Sequence, residues 1–207
     1  MPGDVLERFP LFPLGLVLLP QELVPLHIFE ERYKLMISEC LERDSEFGIV
    51  WLSDDGLRDI GCTARIERVL ETFEDGRQNI LAVGDKPFRL LRRIDDMPYP
   101  AGDIELLDDF DPEADPALLE QARARYAELV EAATEEKPDF EEVAQMDAYG
   151  MAATVEHPDE AKQALLELRA ENDRLRMVEE MFRTAIKRVA YAEEAAERAQ
   201  TNGSVPH

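Results

Sequence analysis

The chain has 207 residues and carries 46 Asp and Glu against 23 Lys and Arg, a formal net charge of −23. Nucleic-acid affinity depends mainly on Lys and Arg that neutralise phosphates, and anionic membranes attract basic segments in the same way. The charge therefore disfavours both partners, and we expect no nucleic acid and no membrane. Hydrophobic residues make up 45% of the chain, which is typical of a globular protein, and no apolar run reaches the ~20 residues that span a bilayer.

Two features predict the compartment. The N-terminus lacks a basic region followed by an apolar stretch, so no secretory signal is expected. Cys40 and Cys62 are the only cysteines and do not have metal-ligand spacing, which indicates a reduced, cytoplasmic protein. Both lie in apolar segments and are expected to act as small core residues, with a redox pair as the alternative.

The first half of the chain is predicted to be mostly β. Two apolar runs, 16–19 and 24–29, are bounded by prolines, which mark edge strands or strand ends because proline cannot donate to a ladder. Apolar positions at spacings of three and four then predict a helix from about Glu31 to Arg43. Further strands are expected at 47–52, 62–73, 79–83, 88–91 and 104–107, with a turn at 74–77 and a break at 84–87. Six or so short strands with one inserted helix suggest a small, strongly bent, barrel-like sheet.

The second half is predicted to be helical. Residues 95–116 carry nine acids and no Lys or Arg, which predicts a solvated connector. Helical periodicity follows from Pro116 onward, and the breaks predict a helix from Pro116, one over 140–150, a short one over 161–168 and a long last helix capped by Asn172.

These patterns predict an α+β protein of two parts. The β subdomain is expected at 5–110 and the helical bundle at 116–200. The polar tail at 201–207 is expected to be disordered.

The last helix carries an apolar seam at steps of three and four residues: Leu175, Val178, Phe182, Ala185, Val189 and Ala192. Such a seam is typical of helix–helix packing. It either packs inside the bundle of the chain itself or pairs with a partner, including a weakly associated second copy.

Several chemistries have no motif in this sequence. It contains no phosphate-cradling G-x-x-x-x-G-K-[ST], no G-x-S-x-G and no HExxH. The three histidines, His27, His157 and His207, are isolated from one another, and the carboxylates lie in acidic runs rather than in apolar surroundings that would separate their pKa values. The sequence therefore predicts no catalytic residue, no metal site and no cofactor.

One set of motifs is more specific. LFPLGLVLLP at residues 11–20, LVPLHIFEERY at 23–33 and EFGIV at 46–50 occur in this order, followed by IGCTARI at 60–66 and ILAVG at 80–84. The second half adds KQALLEL at 162–168. In this order and spacing, the motifs resemble the N-terminal substrate-binding domain of Lon proteases, over about residues 9–190.

The resemblance implies a PUA-like, six-stranded pseudobarrel with an inserted helix, followed by a helical bundle that ends in a long helix. In Lon proteases this region helps to recognise unfolded or degron-bearing substrates and assists assembly. The printed chain ends at His207, before the ATPase and protease modules of the family, so we expect a stand-alone, non-catalytic member.

Four functional hypotheses follow. The first is a module that binds unfolded or degron-bearing polypeptides, with an expected surface at Leu26, Phe29, Phe47 and Trp51. The second is a regulatory or scaffold protein that pairs with Lon or another partner through Leu175, Val178, Phe182 and Val189 of the last helix. The third hypothesis, RNA binding, rests only on analogy with other PUA-like domains. The fourth, an enzyme, would need a cleft that sequence does not reveal.

Overall fold

Six strands and six helices follow one another along residues 3–203, the part of the chain that this computed structural model describes, apart from the side chains at 193, 194, 196, 197 and 199–203. The strands are β1 (Val5–Leu14), β2 (Leu23–Ile28), β3 (Phe47–Ser53), β4 (Gly56–Thr72), β5 (Gln78–Ile94) and β6 (Ala101–Leu106). The helices are α1 (Glu31–Arg43), α2 (Pro116–Thr134), α3 (Phe140–Val143), α4 (Ala148–Ala152), α5 (Asp159–Leu166) and α6 (Glu171–Gly203).

The six strands form one sheet that closes on itself. Their order is β2-β5-β4-β3-β1-β6, and β6 also pairs with β5. Five strands therefore make a ring, and β2 is attached to the outside of that ring through β5 alone. The α+β pseudobarrel with an inserted helix is confirmed, with α1 lying between β2 and β3 in the chain.

Strand β5 has two roles because it is 17 residues long. Its first half pairs with β2 and its second half pairs with β6. The break expected at residues 84–87 is wrong. The two strands change register there, between Cys62 and Ala64 of β4, and the side chain of Thr63 accepts a hydrogen bond from the Lys86 amide (3.1 Å). A bulge with this local support lets the strand continue past Pro87.

The expected strand at residues 16–19 is also wrong. This segment is irregular and buried, and side chains instead of a ladder satisfy its backbone. Asp159 accepts from the Val17 amide at 2.8 Å, and Glu22 accepts from the Leu19 amide at 2.9 Å. The strand that precedes it, β1, lies in the ring between β3 and β6.

Two clusters of buried side chains form the core. One fills the ring and consists of Leu11, Val50, Phe88, Leu90 and Ile104. The other is continuous from the inner face of β2 and α1 to α6, where Phe182 is fully buried. The pseudobarrel and the helical bundle therefore share apolar core.

Helices α2 and α6 run parallel to each other. The Asn172 side chain accepts a hydrogen bond from the Asp115 amide at the start of both helices (2.7 Å), and Arg125 pairs with Glu179 further along (3.3 Å). Asn172 thus lies in the first turn of α6 and supports the start of α2 rather than acting as the cap of its own helix.

The single helix expected over 140–150 is wrong, because two short helices occur there. Asp139 accepts from the amides of Glu141 and Glu142 at the start of α3, and Asp147 accepts from the Gly150 amide at the start of α4. Two aspartate caps in succession start two helices. At the other end, α6 continues to Gly203, and residues 204–207 of the expected tail lie outside the described residues.

The acidic connector is held in place instead of being fully solvated. Strand β6 lies within it, and Asp109 forms an ion pair with Arg174, whose side chain is only 5% exposed. The Glu171 amide also donates to the Asp111 carbonyl oxygen at 3.0 Å. A further ion pair joins Lys162 of α5 to Glu22 at 2.7 Å. These contacts fix the bundle against the pseudobarrel.

Candidate functional site

The outer side of β2, β5 and the second half of β4 presents an apolar surface. Residues directly opposite each other on antiparallel strands lie on the same side of a sheet, and Leu23, Val83 and Arg65 are opposite one another, as are Pro25, Leu81 and Arg68. We call this set, together with His27, Phe29 and Phe73 at one end, the strand surface. Leu23 and Phe29 are 55% and 58% exposed.

The period of two along β2 explains why this surface is separate from the core. Leu26 and Ile28 point inward and are buried at 8% and 1% exposure, whereas Pro25 and His27 point outward. Phe29 follows the strand and continues the outward side. One strand therefore contributes both to the core and to the exposed surface.

Aromatic rings gather at one end of the strand surface. The His27 ring stacks on Phe29 with centroids 5.8 Å apart and meets the edge of Phe73 at 6.1 Å. His27 Nδ1 is 2.6 Å from Asn79 Oδ1, and the Asn79 amide group donates to Glu71 at 3.1 Å. This chain of contacts orients the His27 ring, so its neighbour Phe29 is exposed in a defined position.

A shallow concavity of about 470 Å³ lies at the other end, lined by Leu23, Leu81, Val83 and the stems of Arg65 and Arg68. Arg65 pairs with Glu67. Arg68 has no carboxylate within 4.0 Å in the described part of the chain. The strand surface therefore combines apolar side chains with a cation, Arg68, that has no carboxylate partner among the described residues.

Strand β2 also forms an open edge of the sheet. It pairs with β5 on one side, and no strand of the described residues pairs with its other side. Such an edge presents backbone donors and acceptors to which an extended chain can add as a further strand. Pro25 lies on this edge strand, as expected for a proline, which cannot donate a hydrogen bond to a neighbouring strand.

Of the four residues expected to bind polypeptide, only Phe29 lies on the strand surface. Leu26 belongs to the core, and Phe47 has no exposed surface, so neither can contact a peptide in this conformation. Trp51 is half-buried at the other end of β3, where the Arg58 guanidinium lies 5.4 Å from its ring. The period of two of a strand, counted from the polar His27, could have indicated Leu23 and Pro25, which sequence reasoning missed.

The seam expected on the last helix is mostly internal. Leu175, Val178 and Phe182 are buried at 0–1% exposure, and the Phe182 ring contacts Tyr126 of α2 at 5.6 Å. A partner cannot use these three positions in this conformation. Val189 is only half-buried and lines a second concavity.

This second concavity, which we call the helix groove, lies where α2 ends beside α6. Its volume is about 870 Å³, and its apolar lining includes Leu129, Val130, Val155, Ala185 and Val189. Lys187 and Arg188 lie at its margin, and Glu156 is the one carboxylate among the described residues that line it.

The shifted pKa values of Tyr99 and of the two cysteines are explained by the surroundings of these side chains in the fold. Burial raises the pKa of Tyr99 to about 12, with a further contribution from its hydrogen bond to Glu39 (3.0 Å). Burial also raises the pKa of both cysteine thiols, which keeps them protonated and unreactive.

Among the described residues, no group of three or more His, Cys, Asp or Glu could hold a metal ion. No helix in the described part of the chain is long and apolar enough to cross a membrane.

The architecture of this domain is a six-stranded pseudobarrel, with five strands in a closed ring, that shares its core with a helical bundle. A family model described as the ATP-dependent protease La (LON) substrate-binding domain matches residues 8–184. The chain belongs to this family, as its motifs predict. The match is to the substrate-binding domain and not to the ATPase or protease domains.

Individual relatives agree with this assignment. The Lon protease of Parabacteroides distasonis is 30% identical over 116 residues, which are 52% of this chain and 14% of the length of that protein. The crystal structure of a Lon N-terminal domain protein from Xanthomonas campestris is 25% identical, covers 84% of this chain and 97% of its own, and has a TM-score of 0.64. The N-terminal domain of Mycobacterium avium complex Lon protease, 18% identical, shares the fold with a TM-score of 0.63, over 86% of this chain and 98% of its own.

Proposed function

We propose that this chain is a non-catalytic cytoplasmic module that binds unfolded or degron-bearing polypeptides at the strand surface. One observation carries the proposal: an exposed row of apolar side chains lies beside an open edge strand. An extended peptide that pairs with β2 gains backbone hydrogen bonds along its length, and these do not depend on its sequence. Its apolar side chains contact Leu23 and Phe29, which gives a preference for segments that folded proteins bury.

The membership in a family of substrate-binding domains supports this function. The charge of the chain supports one further property. A net charge of −23 repels acidic chains and weakly attracts basic ones, so basic, unfolded segments are the expected ligands, except at the position that faces Arg68. Compact folded proteins keep their apolar residues and backbone groups internal and are not expected to bind.

The test uses a fluorescently labelled, reduced and carboxymethylated protein as the unfolded probe, and its native form as the folded control. The variant Leu23→Ser with Phe29→Ser removes the two most exposed apolar side chains of the strand surface. Leu91→Ser is the matched control, because Leu91 is an exposed leucine of β5 (51%) that is not part of the strand surface.

Fluorescence anisotropy should show at least 10-fold weaker binding of the unfolded probe by the double variant and unchanged binding by Leu91→Ser. Equal binding by all three proteins would place the site elsewhere on the molecule. Failure of the wild-type protein to bind the unfolded probe at all would refute the function itself.

Regulation or scaffolding by pairing with Lon or another partner is the second candidate. Three of the four seam residues expected to contact a partner are internal. The fourth, Val189, is accessible in the helix groove, and this groove is the observation that favours pairing with a partner.

A further inference from the structure

The helix groove has the shape of a site for another helix. Helices α2 and α6 run parallel and form its two sides, with Leu129 buried at its floor. Above the floor, α2 and α6 contribute the small Ala133, Ala185 and Ala192 together with the larger Val130, Val189 and Tyr191. Small side chains permit close approach of a third helix, and the described part of the groove offers no strand edge for an extended peptide.

The margin of the groove is positively charged. Arg174, Arg176 and Arg183, which lie earlier on α6, each pair with at least one carboxylate. Lys187 and Arg188 line the groove, and neither has a carboxylate within 4.0 Å among the described residues. Two cations without a carboxylate partner among the described residues are therefore placed at an apolar groove, in a protein whose acids outnumber its basic residues 46 to 23.

We propose that the helix groove binds an acidic amphipathic helix of a partner protein. The apolar side of that helix, with residues at i, i+3, i+4 and i+7, contacts Val130, Val155 and Val189. Carboxylates that border the apolar side pair with Lys187 and Arg188. Opposite charges at the margin of an interface chiefly increase the association rate and select against basic helices.

This site is separate from the strand surface. Leu23 and Phe29 belong to β2 and the residue that follows its end, whereas the helix groove is built from α2, α6 and the segment around Val155. Loss of polypeptide binding at one site is therefore distinguishable from loss of helix binding at the other.

The test uses two designed peptides of about 18 residues with leucine at i, i+3, i+4 and i+7. One carries glutamate and the other lysine at the positions that border the leucines. Their binding is measured by fluorescence anisotropy at low and high salt. The double variant Lys187→Glu with Arg188→Glu reverses the charge of the groove, and Arg176→Glu is the control at an exposed position of the same helix.

We expect the wild-type protein to bind the glutamate peptide at least 10-fold more tightly than the lysine peptide, with a preference that declines at high salt. The double variant should reverse this preference, whereas Arg176→Glu and Leu23→Ser with Phe29→Ser should retain it.

Two results would overturn the proposal. Equal affinity for both peptides, or no binding of either, would show that the groove does not select an acidic helix. Sedimentation velocity tests whether a second copy of this chain occupies the groove instead. If the wild-type protein forms a dimer that the double variant does not form, the groove binds a second copy of this chain and not a partner helix.

Discussion

Arg174 of α6 and Asp109 of the acidic connector form a two-point ion pair, in which Nη1 donates to Oδ1 at 2.8 Å and Nη2 donates to Oδ2. Arg174 also pairs with Glu171 at 2.9 Å and lies 4.6 Å from the Tyr149 ring. Burial raises the pKa of Glu171, whereas the Ala148 amide and Arg174 favour its ionised form. The connector, α4 and α6 are therefore joined through one buried guanidinium.

Arg174→Ala is expected to lower the free energy of unfolding by about 3–5 kcal/mol, because it leaves a buried carboxylate without its partner. Urea denaturation measures this loss. The matched control is Arg176→Ala, which removes an exposed ion pair with Asp173 and should cost less than about 1 kcal/mol. Equal losses for the two variants would show that the buried network does not stabilise the junction.

The second prediction concerns Gly61 of β4. A Cβ atom built there would lie 2.5 Å from the Ile49 carbonyl oxygen and 2.7 Å from the Phe88 ring. Gly61→Ala is therefore expected to destabilise the protein by about 1–3 kcal/mol, the usual cost of overpacking a core. Gly15→Ala is the control, since no atom beyond Gly15 and its two chain neighbours lies within 4 Å of its Cβ position. Thermal unfolding should show a lower Tm for the first variant only.

The third prediction separates stability from binding by comparing two phenylalanines. Phe47→Ala empties a buried position and should cost about 3–5 kcal/mol. Phe29→Ala removes an exposed ring and should change stability by no more than about 0.5 kcal/mol, while it weakens binding of the unfolded probe. The proposed role of the strand surface would be contradicted if Phe29→Ala bound the probe as the wild type does.

The fourth prediction is a pH dependence that arises from His157. Burial, with contributions from Lys162 and Arg188, lowers the pKa of His157 to about 4, and its Nε2 is buried without a hydrogen-bond partner. The unfolded chain takes up this proton near pH 6.5, before the folded protein does. Stability is therefore complete above about pH 6.5 and declines by about 1–3 kcal/mol as the pH falls to about 4.

Urea denaturation at a series of pH values tests this dependence. His157→Gln should remove the part of the decline that lies between pH 6.5 and 4, and His27→Gln, at an exposed histidine, should not. The same decline in both variants would assign it to carboxylates. Asp103 and Glu179 are candidates, because hydrogen bonds from Arg92 and Arg183, respectively, are the main causes of their lowered pKa values.

The fifth prediction concerns Cys40 and Cys62. Both are free thiols and are buried, so Ellman's reagent should modify them slowly in the native protein and rapidly in urea. Rapid modification of either thiol under native conditions would revive the hypothesis of a redox pair.

The sequence predicts the fold well where local signals agree. Helix α1 begins and ends at the expected residues, and the strand with the turn at 74–77 is found where the pattern indicates. The error at 16–19 has a physical cause, since its amides bond to the side chains of Asp159 and Glu22. Asp159 is 142 residues away in the chain, and no local pattern reveals such a partner.

The candidate site was predicted less well, for a different reason. Hydrophobicity identifies Leu26 and Phe29 equally, but only the direction of each side chain decides which of them is exposed. That direction follows from pairing with β5, which places Leu26 opposite the buried Ile80. For α6, the periodicity of the seam is correct, yet it does not say that α2 of the same chain covers Leu175 and Phe182 but leaves Val189 at a groove.

The attachment of β2 has a mechanical consequence. The ring of five strands is complete without β2, so β2 can separate from β5 without opening the barrel. A polypeptide that pairs with β2 and is then pulled away loads the hydrogen bonds between β2 and β5 and the packing of Leu26 and Ile28 in the core, but no ladder of the ring. Force on a captured chain therefore reaches the attachment of β2 first, and the five ladders of the ring are not in its path.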